Sequence, residues 1–342
     1  MKWCLYFLPI LLVSCVGGKS EQELLDDFAR ANVALKRDRY VMAIQAYDQI
    51  IKESPKFTAA INNRGIAYME LGQFQEALKN FDLVLSLEPG DYDAAFNRTR
   101  ALWLQGLWRP ALEELHLLSS THDSAAVYFR MGQIYYQQNR LDSALWSFDQ
   151  SLEIDTVNVE AWINRGNIHY YRGDYPRSQY DIQKALALES SHPLAMNTQA
   201  LLLTEDSDWL EALKWIKRAL AIQPEEPYLI NNLGYVYMGM DSLSQAEQYI
   251  NQSLLLDPNN PWAYRNKAIW YLKSHRPKKT IELLEQAQTM TQNNPPLDLL
   301  YYLGQAYEAI GDHEKACNTW HKGQQQGDRR SAAMLEQFCK SG

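Results

Sequence analysis

One pattern returns along most of the chain, at intervals of about 34 residues. The segment INNRGIAYMELGQFQEALKNFDLVLSLEP starts at Ile61, and similar segments start at Trp162 and Ile230. Each interval carries a small residue and, twelve positions later, a second one. The first series is Ala31, Gly65, Thr99, Gly132, Gly166, Ala200, Gly234, Ala268 and Gly304, and the second is Ala43, Ala77, Ala111, Ala144, Ser178, Ala212, Ala246, Thr280 and Ala316. Such a period indicates an array of one repeated supersecondary unit.

Each interval contains two stripes of apolar residues. Ile230, Leu233 and Tyr237 are spaced as one face of a helix, and Ala246 and Ile250 as part of a second. Between the stripes lies a residue that tolerates the left-handed backbone conformation favoured at helix ends. These residues are Gly72, Gly106, Asn139, Gly173, Asp241 and Gly311. The pattern predicts a helix–turn–helix unit in every interval.

The repeats resemble the tetratricopeptide repeat in their order of bulky residue, Gly, Tyr, Ala, aromatic residue and Pro. The second repeat shows this order in Gly65, Tyr68, Ala77, Phe81 and Pro89. The fifth repeat shows it in Trp162, Gly166, Tyr175 and Ala185. The resemblance implies an all-α superhelical solenoid of about nine units followed by a capping helix within 331–342. The predicted repeats are 24–57, 58–91, 92–124, 125–158, 159–192, 193–226, 227–260, 261–296 and 297–330.

Four positions depart from the family pattern. Arg64, Arg98 and Arg165 stand where the family usually has Leu, and Ala34 stands where it usually has Tyr. The small residues keep the pattern, because a Leu there would overpack two closely approaching helices by about 1–3 kcal/mol.

The resemblance implies that partners bind along a concave face formed by the first helices. Asn residues recur two positions before the small residue, at Asn63, Asn97, Asn164, Asn232 and Asn266. Family superhelices use asparagines at the matching place to hold a peptide backbone, since a carboxamide both donates and accepts. The alternative is that these asparagines serve helix packing or solvation. Aromatic residues on the same predicted face are Phe96, Trp103, Phe129, Tyr136, Tyr170, Tyr171, Tyr235, Trp262 and Tyr301, some of which would form core between repeats.

One family function is not predicted. Repeats that clamp a C-terminal carboxylate need basic residues at set places in consecutive first helices. Arg130 stands at such a place, but Ala126 and Asn62 occupy the others. We retain Arg130 as a candidate groove residue and predict no carboxylate clamp.

The N-terminal segment predicts export. Met1-Lys2 precedes an apolar run from Trp3 to Val13, which is shorter than the roughly 20 residues of a membrane-spanning helix and suits a signal peptide. Leu12-Val13-Ser14 before Cys15 resembles a bacterial lipobox, which implies cleavage after residue 14, acylation of Cys15 and a tether over 15–23. The alternative is an ordinary signal peptide that contains a cysteine. Val16 rather than Asp after the cysteine favours the outer membrane by analogy with Gram-negative sorting.

The same stretch contains Gly17-Gly18-Lys19-Ser20, which resembles the end of a phosphate-binding loop. Such a loop needs a glycine where Val13 stands, and a strand before it. A nucleotide site is therefore not predicted.

Two cysteines remain when Cys4 leaves with the leader and Cys15 carries lipid. Cys317 and Cys339 are 22 residues apart, and exported cysteines tend to pair, so we predict a disulfide that fixes the capping helix. Two alternatives stay open: free buried thiols, or a zinc site using His313, Cys317 and His321.

The remaining composition favours binding over catalysis. A formal net charge of −8 without a basic run argues against a nucleic-acid partner. The histidines at 116, 122, 169, 192 and 275 have no evident catalytic companions, and no cofactor is predicted. The leading hypothesis is a non-catalytic, lipid-anchored scaffold of a bacterial envelope that binds a partner protein or peptide. A glycan- or peptidoglycan-binding lipoprotein is the alternative, and a structural spacer is a third.

Overall fold

The computed structural model describes residues 19–290 and 298–339. The predicted signal peptide (1–14) and Cys15 lie outside these ranges. Residues 291–297, where the eighth predicted repeat ends, and residues 340–342 also lie outside them. Within them are nineteen helices and no strand, so the all-α prediction is confirmed. No helix in the described part is long and apolar enough to cross a bilayer.

The helices follow one another in pairs. They are α1 (Glu21–Lys36), α2 (Tyr40–Glu53), α3 (Thr58–Glu70), α4 (Phe74–Leu87), α5 (Tyr92–Leu104), α6 (Trp108–Thr121), α7 (Ala125–Gln137), α8 (Leu141–Ile154), α9 (Val159–Tyr171), α10 (Tyr175–Leu188), α11 (Pro193–Glu205), α12 (Trp209–Ile222), α13 (Pro227–Gly239), α14 (Leu243–Leu256), α15 (Pro261–Lys273), α16 (Pro277–Met290), α17 (Leu299–Ala309), α18 (His313–Gln325) and α19 (Arg329–Phe338).

The chain divides into two compact units, at residue 123. The first holds α1–α6 and the second α7–α19. Inside each unit, every helix packs on the next. In the first unit α1, α3 and α5 also contact one another in succession, and in the second unit α9, α11, α13, α15, α17 and α19 do so. This side-by-side arrangement makes α9 to α19 of the odd-numbered series one continuous surface, which carries the site described below.

The turns inside the pairs use the left-handed conformation. Gly72, Gly106, Gly173 and Gly311 have φ between 71° and 83°, as the sequence pattern requires. Asn139 and Asp241 adopt φ of 56° and 59°, and Asp38, Ser207 and His275 do the same in the remaining pairs. The turn therefore imposes its geometry even where no glycine is present.

The glycines of the first series lie against a large side chain of the second helix. A Cβ atom added at Gly65 would stand 2.7 Å from the Phe81 ring, and one at Gly132 would stand 2.6 Å from Phe148. At Gly304 the distance to Trp320 Nε1 would be 2.2 Å. The absence of a side chain is what lets the large residue fill the space between the paired helices.

Both ends of the described chain differ from the sequence prediction. The predicted tether extends to residue 23, but α1 begins at Glu21 because Ser20 and Glu23 form a capping box. The capping helix was predicted from residue 331, but α19 begins at Arg329, because Asp328 accepts hydrogen bonds from the backbone N–H groups of Arg330 and Ser331.

The three unusual arginines occupy equivalent places between neighbouring repeats. Each contacts an aspartate sixteen residues earlier (Asp48, Asp82 or Asp149) and a polar residue sixteen residues later (Asn80, Glu114 or Asp181). Arg165 is the most enclosed case: its Nε and Nη2 lie 2.9 and 2.7 Å from the two oxygens of Asp181, and its Nη1 lies 2.6 Å from Asp149.

A disulfide joins α18 to the residue that follows α19. The sulfur atoms of Cys317 and Cys339 are bonded, with the Cα atoms 5.8 Å apart. Phe338 lies beside Trp320, at 5.8 Å between ring centroids, so α19 also covers the last aromatic residue of the core.

Replacing Cys339 with serine is expected to lower the free energy of unfolding by about 3 kcal/mol, because the link restricts a loop of 22 residues in the unfolded chain. Urea denaturation with and without reductant measures this, and reductant should abolish the difference between the variant and the original protein. Alkylation of both thiols without prior reduction would contradict the disulfide.

Candidate functional site

The second unit contains a cavity of about 400 Å³. Side chains of α9, α11, α13 and α15 form its walls, and Asp298 and residues 327–330, where α19 begins, complete it. Its volume falls in the range typical of binding sites for small molecules or short peptide segments.

Aromatic side chains form much of the wall, at Tyr170, Tyr171, Tyr175, Tyr228, Tyr235 and Trp262. Tyr171 and Trp262 are stacked, with ring centroids 5.3 Å apart and planes at 26°. Burial raises the pKa of Tyr171, and burial together with the charge of Glu205 raises the pKa of Tyr170 well above its usual value. These phenols are therefore neutral at physiological pH and can donate hydrogen bonds.

Arg265 is a buried charged residue of the cavity wall. Its guanidinium binds both carboxylate oxygens of Asp298, with Nε 3.0 Å from Oδ1. It also lies over the rings of Tyr235 and Tyr302, 5.0 and 5.4 Å from their centroids. Burial is the largest effect and opposes the charged form of Arg265, but the interactions with Asp298, Tyr235 and Tyr302 together outweigh it and raise the pKa of Arg265.

Arg330 of α19 closes one end of the cavity. Its Nη2 lies 2.9 Å from Glu205 Oε2 at the end of α11, and its Nη1 lies 3.2 Å from Asp298 Oδ2. Glu205 also accepts hydrogen bonds from the hydroxyl groups of Tyr170 and Tyr175, at 3.2 and 2.9 Å. Residues 125 positions apart are thus joined across the cavity.

Asparagine side chains join the odd-numbered helices to one another. Asn232 Nδ2 donates to Asn197 Oδ1 at 2.8 Å, and Asn266 Nδ2 donates to Asn231 Oδ1 at 3.0 Å. In the first unit, Asn97 donates to Asn62, and Asn63 to Asn32. These amide pairs join neighbouring repeats. Helix packing is the alternative role that the sequence left open for the recurring asparagines.

Family models described as tetratricopeptide repeat match residues 59–91, 163–227, 228–260 and 298–322, and one described as TPR repeat matches 132–173. Together these matches cover more than half of the 342 residues. The chain is a tetratricopeptide repeat protein.

Solved structures agree with the tetratricopeptide repeat fold. A tetratricopeptide repeat protein from Parabacteroides merdae aligns with a TM-score of 0.57 at 16% identity, over 73% of this chain and 98% of its own. A chain of the APC/C hetero-tetramer Cut9-Hcn1 aligns with a TM-score of 0.55 at 15% identity, over 94% of this chain and 77% of its own. The predicted repeat solenoid with a C-terminal helix is therefore confirmed.

Curated relatives share the repeats. The DnaJ homolog subfamily C member 7 homolog of Schizosaccharomyces pombe is 27% identical over 51% of this chain and 41% of its own length. Tetratricopeptide repeat protein 13 of Homo sapiens is 28% identical over 43% of this chain and 18% of its own length. The chain thus spans less than half of either relative.

The cavity of this tetratricopeptide repeat protein gathers part of the predicted groove. Six predicted residues line it: Tyr170, Tyr171, Asn232, Tyr235, Trp262 and Asn266. Asn266 is 2% exposed, and its amide oxygen and nitrogen are bound by Arg265 and Asn231. It therefore supports the wall rather than presenting a free amide.

Other predicted groove residues of the second unit lie outside the cavity. Phe129 packs on Phe148 between α7 and α8, and the Asn164 amide donates to the carbonyl of Glu160 in its own helix. Arg130 donates to Gln133, and the Tyr301 hydroxyl accepts from Gln305. Tyr136 is half-buried, and burial raises its pKa. These contacts of Phe129, Arg130, Asn164 and Tyr301 thus lie within one helix or one helical pair.

The predicted residues of the first unit are half-buried. Asn63 and Asn97 belong to the amide pairs, Phe96 stacks on Tyr92 with centroids 5.9 Å apart, and Trp103 lies on the same helix as Phe96.

Several residues of the cavity were missed from the sequence. Glu205, Arg265, Asp298 and Arg330 are charged residues that line it, and Tyr175 belongs to its wall. Asn197 and Asn231 could have been found, because each precedes its donor by 35 residues, as Asn62 precedes Asn97. The contact between Arg330 and Glu205 carries no comparable signal, since the two residues lie in non-neighbouring repeats.

The zinc alternative finds no support in the geometry. Cys317 is half of the disulfide, and His313 Nε2 is 3.8 Å from its sulfur. Among the described residues, no group of three or more His, Cys, Asp and Glu side chains is arranged to hold a metal ion.

A second cavity lies beside Arg165, Asp181 and His169. Burial lowers the pKa of His169, although the charges of Asp181 and Asp174 oppose this shift and those of Arg165 and Arg177 assist it. The unfolded chain therefore binds a proton at His169 more readily than the folded one.

The free energy of unfolding is consequently expected to fall as the pH is lowered through the unfolded pKa of about 6.5. His169→Gln should weaken this dependence between pH 5 and 7, whereas His321→Gln, at an exposed site on α18, should retain it. Urea denaturation across this pH range makes the comparison, and an unchanged pH dependence in His169→Gln would contradict the assignment.

Proposed function

We propose that the protein is a non-catalytic adaptor that binds an extended segment of a partner protein in the cavity of the second unit. Lipid on Cys15 would hold it at a bacterial envelope membrane, more specifically the outer membrane. The observation that carries the binding proposal is the aromatic cavity between α9, α11, α13 and α15, formed on the face that the repeat family uses for partners.

The chemistry of the wall supports a peptide ligand. Large aromatic side chains with few rotatable bonds supply contact area at low entropic cost, which is why they dominate binding hot spots. Tyr228 is 44% exposed and Trp262 half-buried, so part of this surface is open to a ligand.

A glycan ligand is the second candidate, and the same aromatic faces favour it. Sugar hydroxyl groups, however, need acceptors as well as donors. Glu205 and Asp298, the carboxylates that could accept from them, are already bound by Arg265, Arg330 and two tyrosines. This use of the carboxylates makes the peptide the better fit.

Affinity capture from solubilised envelope tests the binding proposal. A Tyr171→Ala, Trp262→Ala double variant is expected to lose the partner that the original protein retains. Trp146→Ala with Tyr180→Ala removes two half-exposed aromatic residues outside the cavity and should keep it. Retention of the partner by the cavity variant would overturn the proposal, as would saturable binding of wall fragments without an enriched protein.

Mass spectrometry of the mature chain tests the anchor. We expect an acylated N-terminal Cys15, and Cys15→Ser should leave the leader uncut and remove the lipid. A mature chain that starts at another residue would contradict lipidation while leaving the binding proposal intact.

A further inference from the structure

The hydrogen-bonding groups of the cavity are unevenly divided between donors and acceptors. All three carboxylates that line it have both oxygens engaged: Glu205 by Tyr170, Tyr175 and Arg330, and Asp298 by Arg265 and Arg330. Asp328 caps α19 through both of its oxygens. The cavity therefore offers a ligand few strong acceptors.

Donors remain available on the same wall. Within 19–290 and 298–339, the indole N–H of Trp262 and the hydroxyl groups of Tyr171 and Tyr228 have no hydrogen-bond partner. The amides of Asn167 and Asn197 accept through oxygen, from Thr198 and Asn232, while their N–H groups are unused. Indole and amide N–H groups can only donate, so they require an acceptor on the ligand.

Proline-rich segments match this imbalance. A proline residue has a carbonyl acceptor but no N–H donor, and its ring presents a flat apolar face to aromatic side chains. The extended polyproline conformation is preformed, so little conformational entropy is lost on binding. An ordinary peptide would bring one backbone donor per residue into a cavity whose carboxylates are already bound, where the remaining acceptors are the tyrosine hydroxyl groups, so fewer of its N–H groups would be paired.

We propose that the cavity binds a short proline-rich segment of the partner, with ring faces on Trp262 and Tyr228 and carbonyl groups accepting from the Trp262 indole and the neighbouring hydroxyl and amide groups. This inference rests on the proposed function and specifies its ligand. Because Arg330 closes one end of the cavity, the bound stretch is short or is the end of a chain.

Fluorescence titration of the full-length protein with a panel of twelve-residue proline-rich peptides tests the proposal. Each peptide is paired with a version in which alanine replaces every proline. We expect members of the panel to bind at least about tenfold more tightly than their alanine counterparts, because alanine adds an N–H donor and frees the backbone.

Variants separate hydrogen bonding from general packing. Trp262→Phe keeps an aromatic ring but removes the indole N–H, and should weaken binding about fivefold, as expected for one hydrogen bond. Trp146→Phe makes the same change on α8 outside the cavity and should leave the affinity unchanged. Circular dichroism establishes that both variants are folded.

Three outcomes would overturn the proline proposal: equal affinity for the proline and alanine peptides, no binding by any member of the panel, or saturable binding of chitooligosaccharides alone. Cross-linking of the captured partner separates this failure from failure of the proposed function. A captured segment that lacks proline but maps to the cavity would refute the proline preference and leave the adaptor function standing.

Discussion

Replacing Arg165 with leucine is expected to lower the free energy of unfolding by about 3–5 kcal/mol, the cost of leaving a buried charge without its partner. Only 2% of the Asp181 side chain is exposed, and Arg165 binds both of its oxygens. Arg165 also binds Asp149 of the preceding repeat and lies 4.8 Å from the centre of the Trp162 ring. The substitution removes all of these interactions together.

Two controls test whether the charge of Asp181 is responsible. The double variant Arg165→Leu, Asp181→Leu should recover much of the stability, because no charge is then buried unpaired. Arg64→Leu makes the same change at the equivalent place, where the enclosed partner is the neutral Asn80, and should cost less, about 1–3 kcal/mol.

Urea denaturation followed by circular dichroism measures each difference. The exposed ion pair of Arg109 and Glu113 supplies a reference, since Arg109→Leu should change stability by no more than about 1 kcal/mol. An Arg165→Leu variant as stable as Arg109→Leu would show that Asp181 is not held in the folded state by Arg165.

Replacing Gly304 with alanine is expected to destabilise the protein by about 3 kcal/mol, at the upper end of the usual cost of overpacking. The added Cβ would lie 2.2–2.6 Å from three atoms of Trp320, a fully buried side chain whose indole N–H donates to the carbonyl of Tyr301 at 3.1 Å. Helix propensity alone would favour alanine by about 1 kcal/mol, so destabilisation identifies the clash as the larger effect.

A double-mutant cycle locates the cause. In a Trp320→Leu background the smaller side chain leaves room, so Gly304→Ala should cost markedly less there than in the original protein. Gly90→Ala, where an added Cβ has no neighbour within 4 Å, controls for the loss of a glycine in general. The same cost in both backgrounds would contradict a clash with Trp320.

Much of the fold could be predicted because its main contacts join neighbouring repeats. Gly65, Gly132 and Gly304 mark where two helices approach closely, and the turn residues mark where each pair reverses direction. Both signals are local and recur at a constant spacing. The caps at Ser20 and Asp328 are also local signals, and side chains cap other helices in the same way, at Asp91, Asn158 and Asn260.

The candidate site could be predicted only in part. Position within the repeat assigned Tyr171, Trp262 and Asn232 to the predicted groove, and they line the cavity, but it gave the same assignment to Phe129 and Tyr301, which pack elsewhere. Whether a side chain on that face points into a cavity or between helices depends on its neighbours in the adjoining repeats. The period does not contain that information.

The sequence alone determined the repeat, the pairing of helices, the turns and the small residues at each close contact, because each depends on residues at most one repeat apart. The tertiary structure decided that the second unit encloses a cavity and that Arg330 reaches Glu205 across it. That contact depends on the rotation accumulated over several repeats, to which every interface contributes a small amount. No short stretch of sequence therefore predicts the contact between Arg330 and Glu205.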